Sequence, residues 1–254
     1  MAELMTVIAV VIMFTAIMIP VAGNASAKSK SAACTDNLRQ CQTAAAAYIN
    51  DNAGQVVLKS HDFNHMTLLW GMVSGRSPML STRENKAYLN SFKQTVCPSL
   101  KGVIPEKNSA AAGNINNFYA VPYMAMKKRG GYANSEHESL FYDLRNRDAY
   151  FQLDTVAGST VVDTVKLRDP SAAMLFTEIW SEQHKNAFYH YSFNNKTAGI
   201  DLRHNNRTNI AFFDGHVKAV DITFFEDLKD NNYILDGGAT GYLFNSRNGK
   251  KFAY

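Results

Sequence analysis

The residues best suited to chemistry lie late in the chain: His204, Asp214, Gly215 and His216. Imidazole and carboxylate at such spacing can hold a metal ion or share a proton. A plainer role accounts for the same residues. Residues 209–220 read as two strands flanking Asp214-Gly215. That pair tolerates the positive φ values of a two-residue type I′ turn, so a hairpin is predicted here without any reaction. His204 is then placed to bond a turn carboxylate or carbonyl and pin the preceding loop. A second cluster, His61, Asp62 and His65, has its two imidazoles one helical turn apart, a spacing that suits zinc. No acidic base shares that face, and an exposed turn is expected. Ser135-Glu136-His137-Glu138 and Glu182-Gln183-His184 read as polar loops. No nucleophile elbow, phosphate loop or dinucleotide fingerprint occurs, and no enzymatic activity is expected.

Three cysteines allow one disulfide and leave one thiol over. Cys34 and Cys41 fall in a helical stretch, seven residues apart. The helical rise puts their Cα atoms about 10 Å apart. A disulfide needs less than about 7 Å, so these two cannot pair within an intact helix. Cys97 can reach either of them. Reduced, buried thiols are the other possibility.

The elements that must position these residues follow from pattern and composition. The chain has 254 residues, ample for a packed core, and a formal net charge of +4. That charge is too weak to imply nucleic acid as a partner, and Lys127-Lys128-Arg129 reads as a solvated loop. Asn pairs such as Asn205-Asn206 favour turns. Residues 4–22, LMTVIAVVIMFTAIMIPVA, carry no charge and show no polar stripe. A helix of about 20 such residues matches a bilayer core of about 30 Å. Glu3 stands at its entrance, where a carboxylate costs a few kcal/mol unless paired. Pro20 removes one backbone donor near its end.

Helix formers continue to Asn52 and Gly54, which read as a carboxyl end. A helix over residues 2–52 would be roughly 75 Å long, more than one bilayer crossing. Its second half must therefore lie on a globular part. A rival reading is a cleaved signal peptide, with Ala25-Ser26-Ala27 as the cleavage site and a soluble, exported binding protein released after Ala27. Against it, the residues before the run include Glu3 and neither Lys nor Arg.

In the remainder, 66–73 and 85–92 read as short core helices, and 149–153, 160–165 and 172–178 as strands. The fold class expected is α+β: a long helix, residues 1–53, packed on an antiparallel sheet within a loop-rich domain, residues 54–254.

Glu3, the apolar run and Pro20, seventeen residues after Glu3, resemble the amino terminus of type IV pilins and type II secretion pseudopilins. Cys34-Thr35-Asp36-Asn37-Leu38-Arg39-Gln40 and Cys97-Pro98-Ser99 are similar to stretches of one branch of that family. His204, nine intervening residues and Asp214-Gly215 resemble the His-x9-Asp-Gly signature of a prepilin-type family. Together these matches frame nearly the whole chain.

The resemblance implies a structural filament subunit, with residues 1–23 in the membrane and later in the filament core. It implies assembly through Met1, Glu3 and Pro20, with processing and N-methylation at the first residue. Relatives usually carry further residues before this point, after a basic leader ending in Gly, and this sequence departs from them there. The partners implied are related pilin subunits, an inner-membrane assembly platform and, before assembly, lipid. The place implied is the cytoplasmic membrane, globular part outside, and then an extracellular or periplasmic filament serving secretion or adhesion. The resemblance also implies a Cys34–Cys97 disulfide. Some related pseudopilins hold calcium near the carboxyl end. Here Asp201, Asp214 and Asp221 have the oxygens for it, although their spacing matches no known calcium loop.

Overall fold

The computed structural model describes residues 2–59, 87–89, 91–100, 119–122, 127–128, 131–132, 150–152, 160–183, 185, 187, 190–191, 193, 195–231, 233–234 and 240–254. Met1, the His61–Asp62–His65 cluster, the expected helix at 66–73 and the loops at 135–138 and His184 lie outside the described residues, as do the side chains of 17–24, Pro20 among them.

Helix α1 runs unbroken over Ala2–Asp51. At the standard rise it is about 75 Å long. Its two halves differ in what they touch. From Leu4 to Phe14 the large apolar side chains stand in the open, with Leu4 65 %, Met5 71 % and Phe14 62 % exposed. In the second half Cys34, Leu38, Cys41, Ala45 and Tyr48 are buried. Their alternating spacing of four and three keeps them on one face of a 3.6-residue helix. That face lies on the β-sheet described below. Among the described residues no helix is long and apolar enough to cross a membrane. The crossing expected of residues 1–23 is thus not shown.

The end of α1 is a Schellman-type stop. The Gly54 N–H donates to the Ile49 carbonyl at 2.9 Å, closing the last turn. The two residues after Asn52 both take positive φ: Ala53 at 55° and Gly54 at 82°. Glycine suits that region, whereas alanine is strained there. The chain then enters β1 (Gln55–Lys59).

The rest is α+β. Strands β2 (Val121–Pro122), β3 (Lys127–Lys128), β4 (Gly131–Tyr132), β5 (Tyr150–Gln152) and β6 (Thr160–Asp163) precede the central part. A five-stranded sheet has the order β1-β6-β5-β3-β4. Then come β7 (Met174–Thr177), β8 (Ile179–Ser181), β9 (His190–Tyr191), β10 (Ala198–Asp201), β11 (Thr208–Phe212) and β12 (Val217–Val220). Helix α2 (Ile222–Asp230) and strands β13 (Tyr242–Asn245) and β14 (Lys250–Ala253) finish the chain. An antiparallel sheet β12-β11-β7 packs under the second half of α1. A four-stranded sheet β14-β13-β10-β8 lies beside it, with β10 and β13 parallel. The pair β2-β9 is parallel, and a bridge from Ala120 to Thr177 ties its segment to β7.

The core joins these layers. Every residue of β7 and β11 is buried; α1 packs on β11, and β7 lies against β2. Helix α2 contributes Phe225 and Leu228. The 3₁₀ turn Phe92–Thr95 lies against α1, capped by a reciprocal Ser91–Gln94 capping box. The expected helix at 85–92 is not seen at Tyr88 or Leu89; helical backbone begins only at Phe92, where that box sets its start.

Because Ala53 occupies a conformation that glycine adopts freely, Ala53→Gly is expected to stabilise the fold by about 0.5–1 kcal/mol. Urea unfolding of the two proteins, with equal slopes and a higher midpoint for the variant, is the check.

Candidate functional site

The polar residues inside the domain gather at one corner. Strand β7 belongs to the three-stranded sheet and β8 to the four-stranded one, and a single residue, Glu178, separates them. A second passage between the same two sheets joins β10 to β11 through residues 202–207. At such a corner the ladder hydrogen bonds lapse, and side chains must satisfy buried backbone groups.

Glu178 is 2 % exposed, and its carboxylate is fully used. Oε2 accepts from the Asn209 N–H at 3.2 Å and the Thr208 hydroxyl at 3.4 Å. Oε1 lies 2.6 Å from His204 Nε2. A carboxylate only accepts, so the imidazole N–H donates. Backbone bonds reinforce the corner, with the Asp201 N–H donating to the Glu178 carbonyl at 2.9 Å.

His204 opens a tight turn. Its N–H and carbonyl exchange hydrogen bonds with Arg207 at 3.0 and 3.2 Å. The two central residues, Asn205 and Asn206, have φ of 55° and 61°. This is the type I′ pattern, for which Asn is suited by its short polar side chain. The hairpin at 212–216 is built differently from the expectation. Only Gly215 has positive φ, at 100°, while Phe212 donates its N–H to the His216 carbonyl at 3.0 Å. Three residues, Phe213, Asp214 and Gly215, therefore form the loop, where a two-residue type I′ turn was expected. The register of Ala211 with Val217 leaves this third residue to accommodate, and a glycine in the left-handed region closes such loops.

His204 does not meet that hairpin's carboxylate. Asp214 instead accepts from His216, at 2.6 Å from Nδ1 and 3.1 Å from the backbone nitrogen. The His216 ring stacks on Phe212 with centroids 4.1 Å apart. Both Asp214 and His216 are exposed.

A second buried pair sits next to the first. Arg203 Nε is 2.9 Å from Asp201 Oδ2, and Arg203 Nη2 donates to the Ile179 carbonyl at 2.6 Å. Asp201 also accepts from Ser246, from its N–H at 3.0 Å and its hydroxyl at 2.5 Å. These contacts tie the β13–β14 turn to β10. Asp221 precedes α2, where the Thr223 hydroxyl at 2.7 Å holds its carboxyl below the usual value. Asp201, Asp214 and Asp221 thus have separate partners. Among the described residues they do not converge as a calcium-binding set would.

One set does converge. Cys34, Cys97, Glu178 and His204 bring their sulfur, oxygen and nitrogen atoms within 4.8 Å of one another, all buried. Cys34 and Cys97 are joined in a disulfide, Cα to Cα 5.1 Å. Cys97 Sγ is 3.5 Å from His204 Nε2. The Tyr119 hydroxyl donates to the Cys34 carbonyl at 3.1 Å, fixing the helix side of the bond. Cys41 remains a free, buried thiol that donates to the Gln94 carbonyl at 3.2 Å. Sequence pattern places Glu178 only within a strand and gives neither Arg203 nor Ser246 a role in a site. The available signal was a lone carboxylate inside the apolar run Ala172–Trp180.

In this hub both carboxylates are held by several donors, while the side-chain nitrogen of Asn209, whose backbone N–H serves Glu178, has no partner among the described residues. Two predictions test it. Removing one partner of a buried pair strands the other, so Glu178→Ala should cost about 3–5 kcal/mol. Asp214→Ala, at a solvated hairpin, should cost under about 1 kcal/mol. Chemical denaturation of both variants against the parent is the measurement.

A further prediction concerns pH. Burial pushes the Cys41 thiol and the Tyr254 hydroxyl up, and it raises Tyr119 with a further contribution from the Glu178 charge. Each keeps its proton in the folded chain at a pH where the unfolded chain has lost it. Stability is therefore full below the ordinary thiol value of 9.0 and declines as pH rises past it. Urea midpoints taken upward from about pH 8 should fall, and Cys41→Ala should lessen the slope.

No protein-family model matches the chain, and neither a curated protein nor a solved structure matches it.

Proposed function

We propose that this chain is a structural subunit of an extracellular filament of the type IV pilus or type II secretion pseudopilus kind, assembled through the first half of α1. The observation that carries the reading is the contrast between the halves of one helix. The second half is embedded in the domain, and the first half offers nine large apolar side chains that none of the described residues covers. At about 1–2 kcal/mol for each such side chain, leaving that surface in water costs on the order of 10 kcal/mol. An apolar area of this kind marks a surface for lipid or for partner chains.

Lipid serves before assembly, with the subunit held in the cytoplasmic membrane and its domain outside. Sister helices replace lipid in the filament, with an inner-membrane platform effecting the exchange. Glu3, exposed in the first turn of α1, then meets the terminal amine of a neighbouring Met1 in an apolar bundle. The alternative of a soluble exported protein requires cleavage after Ala27, and Ala25, Ser26 and Ala27 lie inside the unbroken helix.

Glu3→Ala should reduce recovery of the subunit in sheared filaments on the order of tenfold or more, as the loss of a few kcal/mol of pairing implies. Membrane levels and folding of the domain should be unchanged. Normal assembly of the variant would sink the role assigned to Glu3. An exported chain whose amino terminus begins at Lys28 would sink the filament reading as a whole.

A further inference from the structure

We propose that the Cys34–Cys97 disulfide and a tetrahedral zinc ion are alternative occupants of one site, the ion being held in the reduced chain by Cys34, Cys97, Glu178 and His204. The inference stands apart from the filament reading, since it rests on four side chains in the domain core. They come from four places in the fold: α1, the loop after the 3₁₀ turn, the β7–β8 corner and the β10–β11 turn. Their ligand atoms all lie within 4.8 Å of one another. Two thiolates, one imidazole and one carboxylate form a donor set that favours zinc over harder cations.

The supporting shell is already in place. The Asn209 N–H and the Thr208 hydroxyl hold the carboxylate by Oε2, leaving Oε1 directed at the cluster. Such outer bonds orient ligands and tune their affinity for metal. The reciprocal bonds between His204 and Arg207 fix the backbone of the imidazole ligand. All four residues are buried, as in closed structural zinc sites with no open coordination position.

The exchange balances as follows. An external dithiol delivers two electrons and two protons to the S–S bond and becomes a disulfide itself. The two thiols then lose their protons to solvent as zinc binds. The His204 proton moves from Nε2 to Nδ1, freeing Nε2 to coordinate. The sulfurs separate to about 3.8 Å, the span of two thiolates on a tetrahedral zinc at about 2.3 Å each. Oxidation by a disulfide-forming oxidant reverses this, removing two electrons from the thiolates and releasing the ion. Because the site is closed, loading occurs as the reduced chain folds, where metal binding and folding are coupled. In either state the same four elements are tied together at the same point.

The test uses the full chain in detergent, refolded with and without a phosphine reductant and with cobalt(II) as the spectroscopic stand-in for zinc. The reduced chain should bind one cobalt with the visible absorption of a tetrahedral ion and a thiolate charge-transfer band, and added zinc should displace it. The oxidised chain should bind none. Glu178→Gln and His204→Ala should each weaken binding at least tenfold in the reduced chain, while Cys41→Ala should leave stoichiometry unchanged. A reduced chain that folds and binds no metal overturns the proposal. So does a reduced chain that fails to fold and is not rescued by zinc, or a Cys41→Ala chain that loses the ion.

Discussion

Glu178 occupies the single residue between two strands that belong to different sheets, and its carboxylate is held from three sides. Asn209 and Thr208 reach it from β11, and His204 reaches it from the turn before β11. The passage of the chain between sheets would otherwise leave buried backbone and side-chain groups without partners, each costing about 1–3 kcal/mol. Beside it Asp201 and Arg203 perform the same service for β8 and for the β13–β14 turn. Two buried carboxylates in contact with each other's elements are tolerable because each accepts from three donors. The disulfide adds α1 to this corner, so helix, both central sheets and the carboxyl-terminal hairpin are referred to one point.

That arrangement sets the two halves of α1 apart. Its second half is anchored laterally by the stripe from Cys34 to Tyr48 and covalently at Cys34. From Leu4 to Phe14 its large apolar side chains are exposed instead. The same grip explains why the corner is polar yet closed. Both buried carboxylates there are used in holding strands together.

Several elements could be read directly from residue pattern. The end of α1 was legible in Asn52 and Gly54, because Gly in the left-handed region is a local requirement of the stop. The strands at 174–177 and 208–220 were legible because their apolar runs and the Asp-Gly pair are local signals. The detail of the hairpin was not. Whether Asp214-Gly215 closes as two residues or three depends on the register of β11 with β12, which is set by packing under α1.

The pairing partner of Cys97 and the role of His204 lie further from what local pattern can decide. Helical rise excluded a Cys34–Cys41 bond, since that distance is a property of the helix alone. Cys34 and Cys41 share one face of α1, so the choice between them depended on how far along the helix Cys97 docks: it meets Cys34, and Cys41 lies against the 3₁₀ turn, where it bonds the Gln94 carbonyl. Sequence spacing drew His204 toward Asp214, ten positions on, whereas its partner Glu178 is twenty-six positions back. Composition thus settled the uncharged run, the helix formers and the strand signals, all properties of neighbours along the chain. Only the tertiary structure settled the hub, because its members are brought together by two crossings between sheets, and a crossing leaves no periodic mark in the residues that make it.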